Sequence, residues 1–229
     1  MKTLQKIGGV AALIDATTYL VAMGLLVTML APMSNTELEF GQFMAFFMDN
    51  QTIVFLWHLL MYMVNGVFLV ILALALYDRL KAGSPAMAQV ATVLGLIWAV
   101  MVFASGFITN YGFEVIASLY SKDPAQAATL KSVLDMVTLG LDHSDRFLGC
   151  LWVLLVSWAA LRSGALPKPL NYLGLVIGVP GIVSTLFPSA NELAYAFGLG
   201  IIVWWIWLGT VMLRRSPEPS ALRAHAAIS

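Results

Sequence analysis

Apolar residues fall into six long runs separated by short polar gaps: Ile7 to Ala31, Ile53 to Tyr77, Met87 to Tyr111, Ser144 to Leu161, Leu170 to Phe187 and Glu192 to Leu213. An α-helix rises about 1.5 Å per residue, so a run of roughly 20 apolar residues crosses the hydrocarbon of a bilayer. The pattern predicts an all-α fold, a polytopic membrane bundle of six transmembrane helices. Two gaps are longer than a turn. Pro32 to Thr52 contains FGQFMAFFMDN, which predicts a short amphipathic helix lying in the interface and ended by Asp49 and Asn50. Ser118 to His143 contains SKDPAQAATLKSVLDM, in which Asp123 suits a helix N-cap and Pro124 the first helical position. A helix is expected there, either ahead of the fourth span or continuous with it.

Composition agrees with the pattern. Apolar residues make up 60% of the chain and charged ones 10%, against soluble averages of about half and about a quarter. The 229 residues leave room for six spans and little else. The expected organisation is one transmembrane domain over residues 1–215 and a disordered cytoplasmic tail over 216–229, SPEPSALRAHAAIS. Lys2 and Lys6 precede the first run as in a signal peptide, but without a clear cleavage site the run reads as a retained helix. The ends of the second, fourth and sixth spans, LYDRLKAGSP, LRSGALPKP and LRRSPEP, echo one another; three tandem hairpins or common membrane-exit chemistry both account for this.

Charge adds an orientation. An even number of spans puts both termini on one side, and that side carries Lys2, Lys6, Arg79, Lys81, Arg162, Lys168, Arg214, Arg215 and Arg223 against the acids Asp78 and Glu218. The positive-inside rule makes it cytoplasmic, in a multi-pass protein of the cell (inner) membrane. The other ten acids lie in the spans or on the opposite side, so a net charge of zero conceals a basic inner and an acidic outer face. Cations spread along a membrane face support no nucleic-acid partner. Cys150 is the only cysteine, which excludes an intramolecular disulfide and a thiolate metal cluster.

Ionisable groups within spans are the candidate chemistry, because each costs a few kcal/mol unless it is paired, hydrated or in use. Asp15 lies about 12 Å into the first span with no cation in helical reach, so its partner comes from another helix or it is protonated. Asp142, His143, Asp145 and Arg146 open the fourth span, with Asp142 and Arg146 on one helical face. His58 and, deeper, Asn65 on the second span, Asn110 and Glu114 closing the third, and Asn191 and Glu192 opening the sixth stand at similar height. If the bundle gathers them, they line an outward-facing polar vestibule, with Asp15 as a buried switch. Haem ligation by His58 and His143, or a divalent metal held with Asp145 or Glu192, is the alternative, although no local spacing singles either out. Pro180 predicts a kink in the fifth span beside Gly174 and Gly178, whose GxxxG spacing serves packing within one bundle or a homo-oligomer. Trp204, Trp205 and Trp207 fall near mid-depth, where they pack or line an apolar pocket.

The stretch GCLWVLLVSWAALRSGALPKPLNYLGLVIG, Gly149 to Gly178, together with KIGGVAALI at the start, resembles the bacterial six-helix membrane proteins grouped as the DUF4386 family. The resemblance rests on the tryptophan of the fourth span, LRSGALP at its exit and the following LGLxxG. It implies the fold and topology and carries over no catalytic residue. The function expected is binding or passage of a small molecule, lipid or ion; a membrane redox or haem protein, and an assembly or sensory subunit with a membrane-protein partner, are the other classes.

Overall fold

The computed structural model describes residues 2–35, 37–190 and 192–214. The tail, with Arg215, Glu218, Arg223 and His225, and the loop residue Asn191 lie outside the described residues. The described chain is helical: α1 (Lys2–Thr28), α2 (Phe40–Asp49), α3 (Gln51–Leu80), α4 (Pro85–Tyr120), α5 (Pro124–Ser163), α6 (Lys168–Leu186) and α7 (Leu193–Arg214), with 3₁₀ turns at Ala31–Ser34 and Pro188–Ala190. All but α2 are long and apolar enough to cross a membrane. Their ends follow local chemistry. The Asp123 carboxylate accepts the Gln126 backbone N–H at 3.0 Å to start α5 with Pro124 in its first turn, and Gly164, at φ 63°, ends it in the left-handed conformation. That helix is continuous with the fourth span.

The six spans close into a ring. Each packs against its neighbours in sequence, and α7 returns to α1. At that closing seam the backbones of Gly9 and Gly209 meet, so closely that a Cβ on Gly209 would stand 2.8 Å from the Gly9 carbonyl oxygen. The stripe on α6 serves the same purpose inside the bundle. Gly174 faces Ser157 and Trp204, Gly178 faces Leu154 and Cys150, and Gly181 faces Cys150 and Phe197. The GxxxG spacing is thus used for close packing against α5 and α7. α6 continues through Pro180 for six further residues.

Tryptophans fill the middle of the ring. Trp98 stacks on Trp205 at 6.2 Å and tilts against Trp152 at 5.6 Å, Trp152 meets Trp204 edge-on at 5.9 Å, and Tyr19 meets Trp205 edge-on at 5.1 Å. All four indoles are essentially without solvent exposure. Trp204 and Trp205 are therefore core, while Trp207 faces outward. Val100, Phe107 and Val176, each more than 60% exposed, belong to the apolar outer surface that such a ring offers to lipid.

α4, with 36 residues, and α5, with 40, extend about 54 and 60 Å, well beyond the roughly 30 Å of hydrocarbon. Their excess projects from the end of the ring opposite the termini, hereafter the far end. There α2 packs on the hairpin through Phe43, Met44 and Phe47 against Phe113, Ile116, Ala127 and Leu134. The Lys131 ammonium stands 4.4 Å over the Phe43 ring and binds Asp135 at 2.7 Å, so Asp135 pairs along its own helix, away from Asp142. At the termini end, buried Arg79 donates to the Ala165 carbonyl at 3.1 Å and to the Gln5 side chain at 3.0 Å, while Gln5 donates to the Ala75 carbonyl at 2.9 Å. Arg79 thus knits α1, α3 and the α5–α6 turn together in addition to any topological role.

Candidate functional site

A cavity of about 350 Å³ enters the ring from the far end, lined from α1, α3, α4, α5 and α7. Its walls are mostly Met, aromatic and aliphatic side chains. The charged groups on it, Asp142, Asp145 and Arg146, all come from α5, where a three- to four-residue spacing sets them on one face. The Trp98 indole donates to Asp145 Oδ1 at 2.6 Å. This contact fixes the carboxylate against the top of the tryptophan core, and with Tyr19 and Tyr62 it forms the cavity floor.

One helical turn deeper, Asp15 sits at the midpoint of α1 with no solvent exposure. Its partner does come from another helix: Asn65 on α3, also fully buried, donates to Asp15 Oδ1 at 3.2 Å. Asp15 Oδ2 and Asn65 Oδ1 make no hydrogen bond. Asn65 owes its position to a π-helical turn, Leu59–Val64, inside α3. Such a turn adds a residue to the helical repeat and re-aims the side chains that follow it. The turn also sets Met61 and Tyr62 on the cavity wall.

The other expected vestibule residues do not line this cavity. His58, buried just before the π-helical turn, packs edge-on to Trp57 at 4.9 Å and beside Tyr62 and Phe113 at 5.8 and 5.9 Å. Asn110, whose side chain hydrogen-bonds that of His58, and Glu114 line a different groove, of about 560 Å³, between α2, α3 and α4. His143 faces away from Asp142 and Asp145, into a shallow groove with Met101, Phe147 and Leu186, and its Nδ1 lies 2.9 Å from the Leu139 carbonyl oxygen. His58 and His143 are therefore not facing imidazoles on one site. Glu192 is exposed in the turn before α7 and is not among the cavity-lining residues. Equal height at the helix ends does not set which way each of these side chains turns.

Sequence reasoning passed over Trp98, Tyr19 and Tyr62. Each is an aromatic residue in an apolar run, and its polar atom gains meaning only when a carboxylate on another helix meets it. The π-helical turn also left no signal, having neither proline nor glycine inside it.

The family model described as Domain of unknown function (DUF4386) matches residues 7–211 of this chain. No curated protein and no solved structure matches it.

Proposed function

Since the chain belongs to the DUF4386 family, whose description names no reaction, the site itself must carry the function, and we propose that this multi-pass membrane protein binds a small molecule in the far-end cavity through Asp142, Asp145 and Arg146. The observation that carries the reading is the Trp98–Asp145 contact at 2.6 Å on the floor of a cavity walled by apolar and aromatic groups. Charged side chains inside a membrane bundle are costly, and few uses other than a ligand or ion pathway offset that cost. An aromatic, mostly apolar wall with a few convergent polar groups is also the usual make-up of a small-molecule site. The basic termini end faces the cytoplasm of a cell with an inner membrane, and the cavity opens on the opposite, acidic side, where the surplus of carboxylates draws cationic ligands inward.

Native mass spectrometry of protein released from mild detergent tests this. Gly198 lines the cavity, and a Cβ placed on it would have no atom within 4 Å, so Gly198→Trp fills the space without displacing the backbone. The expected outcome is a retained molecule on the wild-type protein that is lost from Gly198→Trp at unchanged melting temperature. Retention indifferent to Gly198→Trp, with another membrane protein co-purifying from both, would replace the binding reading with that of an assembly subunit.

A further inference from the structure

We infer that Asp15 and Asn65 form a proton-binding site in the middle of the membrane, one helical turn beneath the cavity floor, at which a single proton is shared between Asp15 Oδ2 and Asn65 Oδ1. Hydrogen-bond accounting carries this. An ionised carboxylate only accepts, and a primary amide offers two donors and one acceptor oxygen. In the fold one amide N–H is spent on Asp15 Oδ1 at 3.2 Å, and two oxygens, Asp15 Oδ2 and Asn65 Oδ1, remain buried without a donor. Exchanging the amide nitrogen and oxygen leaves the same shortage, since a carboxylate has no hydrogen to give. One proton on Asp15 Oδ2 makes it the missing donor and Asn65 Oδ1 its acceptor, closing an acid–amide pair with no net charge in a place where a charge is expensive.

Among the described residues no cation pairs with Asp15. On α1, Tyr19 stands one turn above Asp15; on α3, Tyr62 and Asn65 face the ring interior; on α5, Asp142, Asp145 and Arg146 stand at the cavity. α4 contributes the buried Trp98 and Ser105, and α7 contributes Trp205, with Tyr195 at the cavity mouth and Arg214 at the termini end. Tyr19 is within electrostatic reach of Asp15 below it and of Tyr62, Asp142 and Asp145 on the cavity side. On release of H⁺ the acid becomes a carboxylate, and on taking H⁺ back it restores the neutral pair. This is a site additional to the ligand cavity, and its test needs no ligand.

Infrared spectroscopy of the purified full chain reads the acid directly. At neutral pH the wild-type protein is expected to show the carbonyl stretch of a protonated carboxylic acid, lowered in D₂O and lost in Asp15→Asn. Asn65→Leu, which keeps Asp15 but removes its partner, is expected to keep the band and raise its frequency, and this holds the inference to account should Asp15→Asn fail to fold. A wild-type spectrum without the band, or a band unmoved by both substitutions, overturns the inference. So does a melting temperature raised by NaCl over choline chloride in the wild type and not in Asp15→Asn, because the two oxygens then hold a metal cation in place of a proton.

Discussion

At the scale of single residues, the contact between Trp98 and Asp145 joins the two parts of the interior, the packed indoles below and the charged cavity above. Removing the acceptor strands a buried indole N–H, which costs about 1–3 kcal/mol, whereas an amide in its place still accepts. Asp145→Ala is therefore expected to lower the melting temperature in detergent and to alter tryptophan fluorescence, and Asp145→Asn to stay close to wild type in both. Equal losses for the two variants would mean that the charge, and not the acceptor, holds Trp98. At this scale the sequence was partly legible. Asp15, Asp142, Asp145 and Arg146 stand out because ionisable groups are rare in apolar runs, but their partners Asn65 and Trp98 are set by helix rotation, which a chain of nearly all-round apolar helices does not encode in its pattern.

At the scale of elements, α3 departs most from regularity. Its π-helical turn at Leu59–Val64 backs onto Gly106 of α4, where an added Cβ would come within 2.5 Å of both Tyr62 Cβ and Met63 Cε. Met63 can swing away; the Tyr62 Cβ is fixed to its backbone. Gly106→Ala is therefore expected to destabilise the protein by about 1–3 kcal/mol, the usual cost of overpacking, and to weaken ligand retention with it, since Tyr62 is a cavity wall. An unchanged melting temperature would show that the turn yields freely. Other elements were readable in advance. The Asp123–Pro124 start of α5 and the short helix α2 follow from capping and amphipathic spacing. The twenty helical residues of α5 before Ser144 exceed the apolar run because polar helix continues beyond the hydrocarbon, where a hydropathy signal stops, and the nine of α4 past Tyr111 continue as helix that packs on α2 through Phe113 and Ile116.

At the scale of the whole molecule, six spans joined in sequence and closed by α7 against α1 make a ring whose lower part is filled with tryptophan and whose far end stays open. Six spans follow from hydropathy alone, and an even number places both termini together. Ring closure does not, because it depends on Gly9 and Gly209 meeting across nearly the full length of the chain. The division of polar residues between an interior cavity and two outer grooves is equally a property of the assembled ring.

The central claim is that the cavity holding Asp142, Asp145 and Arg146 is open to water on the side opposite the termini. A cysteine at Gly198 reports this with little interference, since the native thiol, Cys150, is fully buried. With a membrane-impermeant maleimide added to right-side-out cells, the account predicts that Gly198→Cys is labelled while wild-type protein is not. Labelling only after the cytoplasmic face is exposed, or none from either side, would contradict it.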